Sequence, residues 1–449
     1  MIKTALHGRR SVLAGGAAAA LVGAGRATAQ GLEERLVVVT SFPRDLTTPV
    51  VQAFERKHPG TKVEIQNRNT TAAVAFIRET RSSPPDMMWA SAPDAFEVLK
   101  KGELLQRYRP QATGIAEKIG AYPVNDPDGY FFGFAASGYG IMYNTRYVRA
   151  NNLPVPKEWD DLAKPVYAGH VGISAPSRSG TTHLTVETIL QGEGWEKGWA
   201  LLLAMAGNFA SVSDRSFGVP DAVNSGQYGL GIVIDFFGLA AKASGFPVEF
   251  VYPSVTTLVP ANIGIVAGAK NPRAAAAFIE FLLSPEGQEI MLDPKIMRLP
   301  VRAETYAKAP AGFPNPFTDS SLGARLTFDS EKSEQRYELI NSLFDRMITF
   351  RLNELREAWK AIHAAEAQLA RRDNAEGRRL VAEARAKASA VPVTEEQSLD
   401  PQLAGAFQPV RPDRPVPARQ AQVEEQWDAF ARANYAEARR LAEQAARAR

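Results

Sequence analysis

Residues 174–183 read SAPSRSGTTH and place hydroxyl side chains and a glycine directly before an apolar stretch that is typical of a helix. Backbone N–H groups at a helix start lack partners within the helix, and the helix dipole adds partial positive charge there. Hydroxyls and N–H groups would therefore face one small volume, which predicts a socket for an anion. Serine and threonine also cap helices in general, so an ordinary helix cap is the alternative.

Polar residues also follow the strands predicted in the N-terminal part of the chain. The β-branched stretch 36–40 ends at Ser41, with Arg44 close behind, and the apolar stretch 86–90 ends at Ser91. Alternating strands and helices predict an α/β domain with a mostly parallel sheet, in which ligands collect outside the carboxyl ends of the strands. The predicted elements here are strands 36–40, 61–65 and 86–90 and helices 49–58 and 72–81.

A second α/β domain is predicted after an uncharged stretch of small and apolar residues, FGFAASGYGIMYN, at about 133–143. This stretch is long enough to be a strand that crosses from one domain to the other. A later apolar strand ends at Asp235, Phe236 and Phe237, which places these three side chains at a strand end as well. The predicted strands of this domain are 169–174, 230–234 and 248–252, and a predicted helix covers 195–206.

The first residues of the chain are typical of an export signal. Basic residues, among them Arg9 and Arg10, precede the apolar run 12–22, which ends in an A-x-A cleavage pattern at 27–29. We expect residues 1–29 to be removed. The arginine pair fits either a twin-arginine signal or the basic start of an ordinary secretion signal, and both lead out of the cytoplasm. No later run of about 20 apolar residues predicts a membrane span.

The composition narrows the chemistry further. The formal net charge is +3, from 52 basic and 49 acidic residues, which is too balanced to indicate nucleic acid or an anionic membrane as the main partner. The chain contains no cysteine, so disulfides, thiolate metal sites and cysteine nucleophiles are excluded. The five histidines form no short two-histidine motif, and we expect neither a dedicated metal site nor a cofactor.

From residue 330 the composition becomes that of amphipathic helices. Apolar residues recur at three- and four-residue spacings and predict one long helix from about 339 to 388. Six prolines lie between 392 and 417, so we expect a proline-rich break at 391–419, followed by a last helix at 420–448. The segment 330–449 is either a helical hairpin packed on its own domain or a docking arm for a membrane partner.

Several of these stretches together resemble the extracellular solute-binding proteins of ABC importers. The resemblance covers about 36–302 and rests on LVVVTSFPRDLTTPVVQAFERKHPG, DMMWASAPDAF, the crossing strand, SAPSRSGTTHLT and SVSDRSFGVPDAVNSGQYGLGIVIDFFG. It implies a two-lobed α/β architecture, the type II periplasmic-binding-protein fold, with strands crossing between the lobes, and the spacing of apolar residues adds a C-terminal α-helical extension. The implied boundaries are 30–135 and 262–329 for lobe 1, 136–261 for lobe 2 and 330–449 for the extension.

Within this superfamily the chain is most similar to the ferric-ion-binding branch and its relatives for sugar phosphates, phosphoglycerate or phosphonates. The ferric-ion binders use two adjacent tyrosines where this chain has Phe236 and Phe237. Phenylalanine has no oxygen for a hard cation, so the resemblance implies an oxyanion more than iron.

The implied mechanism is capture of a small phosphorylated or phosphonate anion by hinge closure between the lobes. Arg44 and Arg215 would close on the anion, and Asp235 would face a hydroxyl or amine of the solute. His183 is expected to be structural. The complete set of expected ligand residues is Ser41, Arg44, Ser91, Ser177, Ser179, Gly180, Thr181, Thr182, Arg215 and Asp235.

The resemblance implies a periplasmic, non-enzymatic protein that delivers its solute to an ABC permease. Three alternatives stay open: a ferric-ion-binding transport protein, a regulator that presents phosphoglycerate to a membrane sensor, and a phosphoester hydrolase. No G-x-S-x-G elbow or Walker loop supports the hydrolase.

Overall fold

The computed structural model describes residues 31–120, 122–319, 322, 326–372, 374–408 and 415–448, so the expected signal segment 1–29 lies outside the described residues. The strands are β1 (Arg35–Thr40), β2 (Lys62–Asn67), β3 (Met87–Ala90), β4 (Leu105–Gln106), β5 (Lys118–Ile119), β6 (Tyr122–Pro123), β7 (Phe132–Asn144), β8 (Val171–Ser174), β9 (Phe209–Ser213), β10 (Leu230–Ile234), β11 (Val248–Val251), β12 (Leu258–Val266) and β13 (Leu299–Pro300).

The α-helices are interspersed with these strands up to β13, and within the described part of the chain only helices follow it. They are α1 (Arg44–Lys57), α2 (Thr70–Glu79), α3 (Pro93–Lys101), α4 (Thr145–Ala150), α5 (Gly180–Glu193), α6 (Trp195–Ala206), α7 (Gly218–Ser225), α8 (Asp235–Ala243), α9 (Pro272–Leu283), α10 (Pro285–Ile290), α11 (Ser330–Gln335), α12 (Tyr337–Met347), α13 (Leu352–Leu369), α14 (Ala375–Ser389), α15 (Glu395–Ser398), α16 (Pro401–Ala404) and α17 (Ala418–Arg447).

Lobe 1 is built on a sheet whose strand β1 pairs in parallel with β2 on one side and with β3 on the other. Strand β12 adds antiparallel to β3. Leu36, Val38 and Val39 of β1 are fully buried, because a strand with helices on both faces of its sheet has no solvent-exposed face. The β-branched sequence of this strand is thus explained by its central place in the sheet.

Strand β7 belongs to both lobes. Its first half, from Phe132 to Gly138, pairs with β12, and its second half, from Tyr139 to Asn144, pairs with β10 and β11. It carries no charged residue and is buried over almost its whole length. The uncharged stretch therefore forms the crossing strand that the sequence predicts, and β12 pairs with its lobe 1 half.

Lobe 2 continues the sheet from β7 through β10 and β8 to β9, the last three in parallel. Helices α5 and α6 cover one face of this sheet, and Trp199 and Leu203 of α6 are fully buried there. The carboxyl ends of β8, β9 and β10 point toward lobe 1, which sets up the site described below.

Two helix starts differ from the sequence-based expectation. Helix α1 begins at Arg44, with Pro49 inside it, although the sequence predicts a start at the proline. Helix α5 begins at Gly180, so the end of the SAPSRSGTTH segment is already helical. Local spacing locates a helix well, but it locates its first turn poorly.

The single long helix predicted for 339–388 is wrong. Helix α12 ends at Met347, a short 3₁₀ turn follows at Thr349–Arg351, and α13 and α14 are separated at residues 370–374. Asn374 caps α14 by accepting a hydrogen bond from the N–H of Gly377 (2.6 Å). Such caps compete with helix continuation, so an apolar repeat alone does not show that a helix is continuous.

The expected proline-rich break at 391–419 is partly helical. One-turn helices α15 and α16 lie within it, and α17 begins at Ala418. Residues 409–414 of this break lie outside the described residues.

The extension packs on lobe 2, as the hairpin alternative predicts. Its apolar face joins the core of lobe 2, and Trp359 of α13 is almost fully buried against the end of α6. Gly207 permits this contact, because a Cβ there would lie 2.6 Å from the Cβ of Trp359. The apolar stripe is therefore covered within the chain itself. None of the described helices combines the length and apolar character that crossing a bilayer demands.

Candidate functional site

The strand ends of both lobes meet at a small cavity. Its volume is about 20 Å³, about the room for one water molecule. Ser41 and Ser91, which follow β1 and β3, line it from lobe 1, as the strand-end prediction requires. The lining residues are Ser41, Phe42, Pro43, Asn69, Thr70, Ser91, Arg178, Ser179, Thr181, Arg215, Ser216, Phe217, Phe236 and Phe237.

Helix starts from both lobes surround this cavity. Asn69 caps α2 and Pro43 precedes α1 in lobe 1, whereas Ser179 caps α5 and Phe217 precedes α7 in lobe 2. Each start carries partial positive charge from its helix dipole. The cavity thus receives positive potential from four helices, a setting that favours negative charge.

Two of the predicted socket residues, Ser179 and Thr181, line the cavity, but Thr182 does not. The Thr182 hydroxyl is bonded to Ser174 and to the Ser179 hydroxyl inside lobe 2. Ser179 also accepts a hydrogen bond from the N–H of Thr182 (3.2 Å), which is the ordinary capping interaction. The segment is therefore both a helix cap and part of a cavity wall.

Gly180 has a steric role. A Cβ at this position would lie 2.7 Å from the Cβ of Ala92 and 2.9 Å from Cγ2 of Thr70. Glycine thus lets the start of α5 approach lobe 1 closely, although Gly180 itself does not line the cavity. Ser177 lines a different cavity, described below.

Arg215 connects the two lobes across the site. Its Nη2 donates a hydrogen bond to Oδ1 of Asn67 at the end of β2 (3.0 Å), and its guanidinium lies over the ring of Phe217. Burial lowers its pKa. Within the described residues Arg215 forms no ion pair, whereas the other lining arginine, Arg178, pairs with Asp214 at the surface. Arg215 is thus a partly buried positive charge that remains available to an anion.

The structure does not bring Arg44 and Asp235 to the cavity. Arg44 is exposed at the start of α1. Asp235 is fully buried and accepts hydrogen bonds from the N–H of Gly138 (2.7 Å) and from the hydroxyl of Tyr252 (2.9 Å). Burial raises its pKa to about 6. Asp235 therefore binds the crossing strand β7 from inside and does not line the cavity.

Phe236 and Phe237 form the apolar wall of the cavity. Their rings contact each other at a centroid distance of 4.2 Å. Neither ring provides an oxygen ligand for a cation. Within the described residues, no group of three or more His, Cys, Asp or Glu side chains is placed to hold a metal ion.

Sequence reasoning missed Asn69, Thr70 and Arg298. Asn69 follows β2 and caps α2, so the same strand-then-cap pattern that selects the 174–183 segment also applies to it. Arg298 is fully buried behind the lining residues Phe42 and Phe236. In the sequence, a single arginine within the apolar stretch IMRLPV is only a weak indication of a binding site. Its position behind the cavity is visible only in the folded structure.

A second, larger cavity of about 700 Å³ lies between α2, the 3₁₀ turn Pro176–Arg178 and the extension. It shares Asn69, Arg178 and Arg215 with the small cavity. Ser177 is one of its lining residues, together with acidic and basic side chains. Its mixed charge gives no clear preference for an anion or a cation.

A second polar region between the lobes involves the extension. Ser333 Oγ of α11 lies 3.1 Å from Oδ2 of Asp94 in lobe 1 and 3.1 Å from Nε2 of His183 in lobe 2. The other ring nitrogen of His183 lies 2.8 Å from Oδ1 of Asn341. Burial lowers the pKa of His183 to about 4 and raises that of Asp94 to about 8. Both ring nitrogens of His183 thus have partners within the protein, and His183 does not line the small cavity.

A buried ion pair lies beside these residues. Arg336 donates from Nε and Nη2 to the two carboxylate oxygens of Glu187, both at 2.8 Å. We call the group of Asp94, His183, Glu187, Ser333, Arg336 and Asn341 the junction.

The family model for bacterial extracellular solute-binding protein matches residues 82–319. Among curated proteins, the phosphoglycerate transport regulatory protein PgtC of Salmonella typhimurium is 31% identical over 372 residues, which covers 83% of this chain and 89% of PgtC.

Solved structures show the same fold. The periplasmic binding protein AfuA from Actinobacillus pleuropneumoniae, with exogenous fructose-6-phosphate bound, matches with a TM-score of 0.64 at 21% identity, over 70% of this chain and 98% of AfuA. Apo ferric ion-binding protein A from Pasteurella haemolytica matches with a TM-score of 0.54 at 19% identity, over 70% and 97%. The matches confirm the predicted two-lobed type II fold, and helices α13–α17 confirm the predicted helical extension.

Proposed function

The chain belongs to the bacterial extracellular solute-binding protein family, and on that premise we propose that it captures a small phosphorylated or phosphonate anion between its lobes. The observation that carries the proposal is the chemistry of the small cavity. Its lining combines hydroxyls, one amide and two arginines, and no Asp, Glu, His or Tyr is among its described lining residues. This composition suits an oxyanion.

The alternative of ferric-ion transport fits the same cavity poorly. A hard trivalent cation prefers carboxylate, phenolate and other oxygen ligands of negative charge. Phe236 and Phe237 occupy the wall where the ferric-ion binders resembled by this sequence have tyrosines. Positive potential from four helix starts would also oppose a bound cation.

Solute binding at this site requires the lobes to separate and close again. A cavity of about 20 Å³ cannot hold a sugar phosphate, since that volume corresponds to one water molecule. Arg215 and Asn67 would part and then meet again on closure. Three charge-assisted hydrogen bonds near the upper end of the range of about 1.5 to 3 kcal/mol each contribute about 8 kcal/mol, which corresponds to micromolar binding.

The remaining parts of the proposal follow from family and sequence. We place the protein in the periplasm, with an ABC permease as its partner and without catalysis of its own. The export-signal pattern of residues 1–29 supports this location.

Thermal unfolding of the mature protein with a panel of solutes tests the proposal. The panel is 3-phosphoglycerate, fructose 6-phosphate, 2-aminoethylphosphonate, inorganic phosphate and ferric citrate. A solute at 100 times its Kd stabilises the folded state by about 2.7 kcal/mol, so it raises the melting temperature by several degrees. A rise with a phosphorylated compound alone supports the proposal, and a rise with ferric citrate alone overturns it. Release of inorganic phosphate from the two esters would show the hydrolase instead.

A regulatory role is a second candidate, because PgtC is named a transport regulatory protein and is similar over 83% of this chain. In this role the solute-bound protein would contact a membrane sensor. Co-purification with the detergent-solubilised sensor or permease, with and without 3-phosphoglycerate, separates the two roles by which partner is retained.

A further inference from the structure

Arg298 differs from the other buried arginines of the described chain. Arg302 pairs with Glu304, and Arg336 pairs with Glu187. Arg298 is fully buried and forms no ion pair within the described residues. A buried charge without a directly bonded counter-ion is costly to a protein, and an anion in the adjacent cavity would reduce that cost.

The guanidinium of Arg298 lies directly behind the cavity wall. Its Cζ is 4.4 Å from the ring centroid of Phe42 and 3.9 Å from that of Phe236, and both rings line the cavity. Arginine stacks on aromatic faces in this way because its planar charge is weakly hydrated. The stacking holds the charge in place and also holds the two wall residues.

The edge of the same guanidinium contacts Ser91. Nη2 donates to Oγ of Ser91 (3.0 Å), and Nη1 lies at 3.5 Å from Oγ of Ser137. Nε has no hydrogen-bond partner among the described residues. Because an arginine can only donate, Ser91 accepts from it and keeps its own hydroxyl hydrogen for another acceptor.

Ser91 lines the cavity, and its free hydroxyl hydrogen can therefore be donated to a solute. We propose that Arg298 is a positioning residue for solute binding. Its hydrogen bond to Ser91 leaves the Ser91 hydroxyl to donate to an acceptor oxygen of the solute, and its guanidinium provides positive charge behind Ser91. This inference rests on the proposed function, and it assigns the lobe 1 side of the anion site. Arg215 would serve the lobe 2 side.

The surroundings of Arg298 agree with this role. Burial lowers its pKa to about 9, and the nearby Asp235 and Tyr139 oppose that shift. Asp235 is occupied by hydrogen bonds from Gly138, Phe236 and Tyr252. The positive charge of Arg298 is thus only partly balanced within the protein, and an anion in the cavity would complete the balance.

Titration calorimetry on full-length variants tests the proposal, with 3-phosphoglycerate and fructose 6-phosphate as probes. We expect R298M and S91A each to bind the probe about 10- to 100-fold more weakly, the range for losing a hydrogen bond to a charged group. R298K, which keeps the charge, should lose less. The double variant R298M/S91A should bind about as weakly as either single variant, because the two residues act together.

R302M is the matched control. Arg302 is also buried and lies four residues away, but it bonds to Glu304 and to the carbonyl oxygen of Thr113. We expect R302M to lower stability and to leave the affinity for the probe unchanged. If R298M does not fold, R298K and S91A still test the proposal, because each removes or weakens the hydrogen bond between Arg298 and Ser91.

The outcomes separate this proposal from the one on which it rests. Wild-type protein that binds a probe, with S91A and R298K binding equally well, overturns the role of Arg298 and leaves the proposed function intact. Additive losses in the double variant also overturn it. Wild-type protein that binds neither ester overturns both proposals.

Discussion

Two polar regions lie between the lobes, and they balance their charges in opposite ways. At the junction, Glu187 is fully paired with Arg336, while burial keeps Asp94 and His183 in their neutral forms near pH 7. At the cavity, Arg215 and Arg298 have no carboxylate partner in the described residues. Buried charges that are paired within the chain indicate a structural contact. Buried charges without an ion-pair partner in the chain indicate a binding site for a charged ligand.

The two regions also differ in which parts of the chain they connect. The cavity is lined by the two lobes alone, up to residue 237. The junction adds the extension, because Ser333 contacts Asp94 in lobe 1 and His183 in lobe 2. Under the proposed mechanism the cavity would open while the extension contacts both lobes, so we expect the junction to restrict the hinge.

Of the changes that test this comparison, removal of residues 330–449 should have the largest effect on stability. We expect the truncated chain to lose cooperative unfolding, because α12, α13 and α17 supply part of the lobe 2 core. Near-ultraviolet circular dichroism and thermal unfolding measure this. A truncated protein that keeps its melting temperature and its response to a solute would show that the extension is a separate module.

The buried ion pair is expected to give the next largest effect. R336M leaves the buried Glu187 without its cationic partner and should lower the free energy of unfolding by about 3 to 5 kcal/mol. The double variant E187M/R336M should recover most of this loss, since it removes both charges. Urea unfolding measures both variants.

R35M serves as the control for that experiment, because Arg35 forms an exposed ion pair with Glu64. Loss of this ion pair should lower the free energy of unfolding by less than about 1 kcal/mol. Equal decreases in the free energy of unfolding for R35M and R336M would contradict the distinction between exposed and buried ion pairs.

The pH dependence of stability tests the neutral forms at the junction. The pKa of Asp94 rises from 3.8 to about 8, so the folded state holds an extra proton on Asp94 between these values. The pKa of His183 falls from 6.5 to about 4, so the folded state lacks a proton there between about pH 4 and 6.5. The two effects oppose each other below pH 6.5, and only that of Asp94 remains above it.

Stability should therefore fall by about 2 kcal/mol between pH 6.5 and 8 on account of Asp94. Asparagine resembles the protonated carboxyl group, so D94N should remove this fall. Urea unfolding at several pH values measures it. A slope in D94N equal to that of the wild type would mean that Asp94 is ionised at neutral pH.

The smallest expected effects distinguish two adjacent threonines. Thr181 lines the cavity, whereas the hydroxyl of Thr182 is bonded inside lobe 2. T181V should weaken binding of a phosphorylated probe about tenfold, or about 1.5 kcal/mol, with little change in stability. T182V should lower stability by about 1 kcal/mol with little change in affinity. Calorimetric titration and urea unfolding of both variants check this, and a reversed pattern would contradict the assignment of the cavity wall.

Part of this site could be predicted from local sequence. A strand followed by hydroxyl residues and a helix start is visible in the sequence, and it selected Ser41, Ser91, Ser179 and Thr181 correctly as lining residues. The same pattern could not separate Thr181 from Thr182. Adjacent residues on a helix differ by about 100° in direction, so only the orientation of α5 decides which of them faces the cavity.

The sequence by itself determined the alternating α/β order, the crossing strand and the positions of the strand ends, because these depend on residue type and period over short stretches. Only the tertiary structure decided that Arg44 is exposed, that Asp235 bonds to β7, that Arg298 lies behind the cavity and that the extension covers lobe 2. The physical reason is that burial and charge pairing depend on groups distant in sequence. The partner of a charge, or its absence, exists only once the chain has folded.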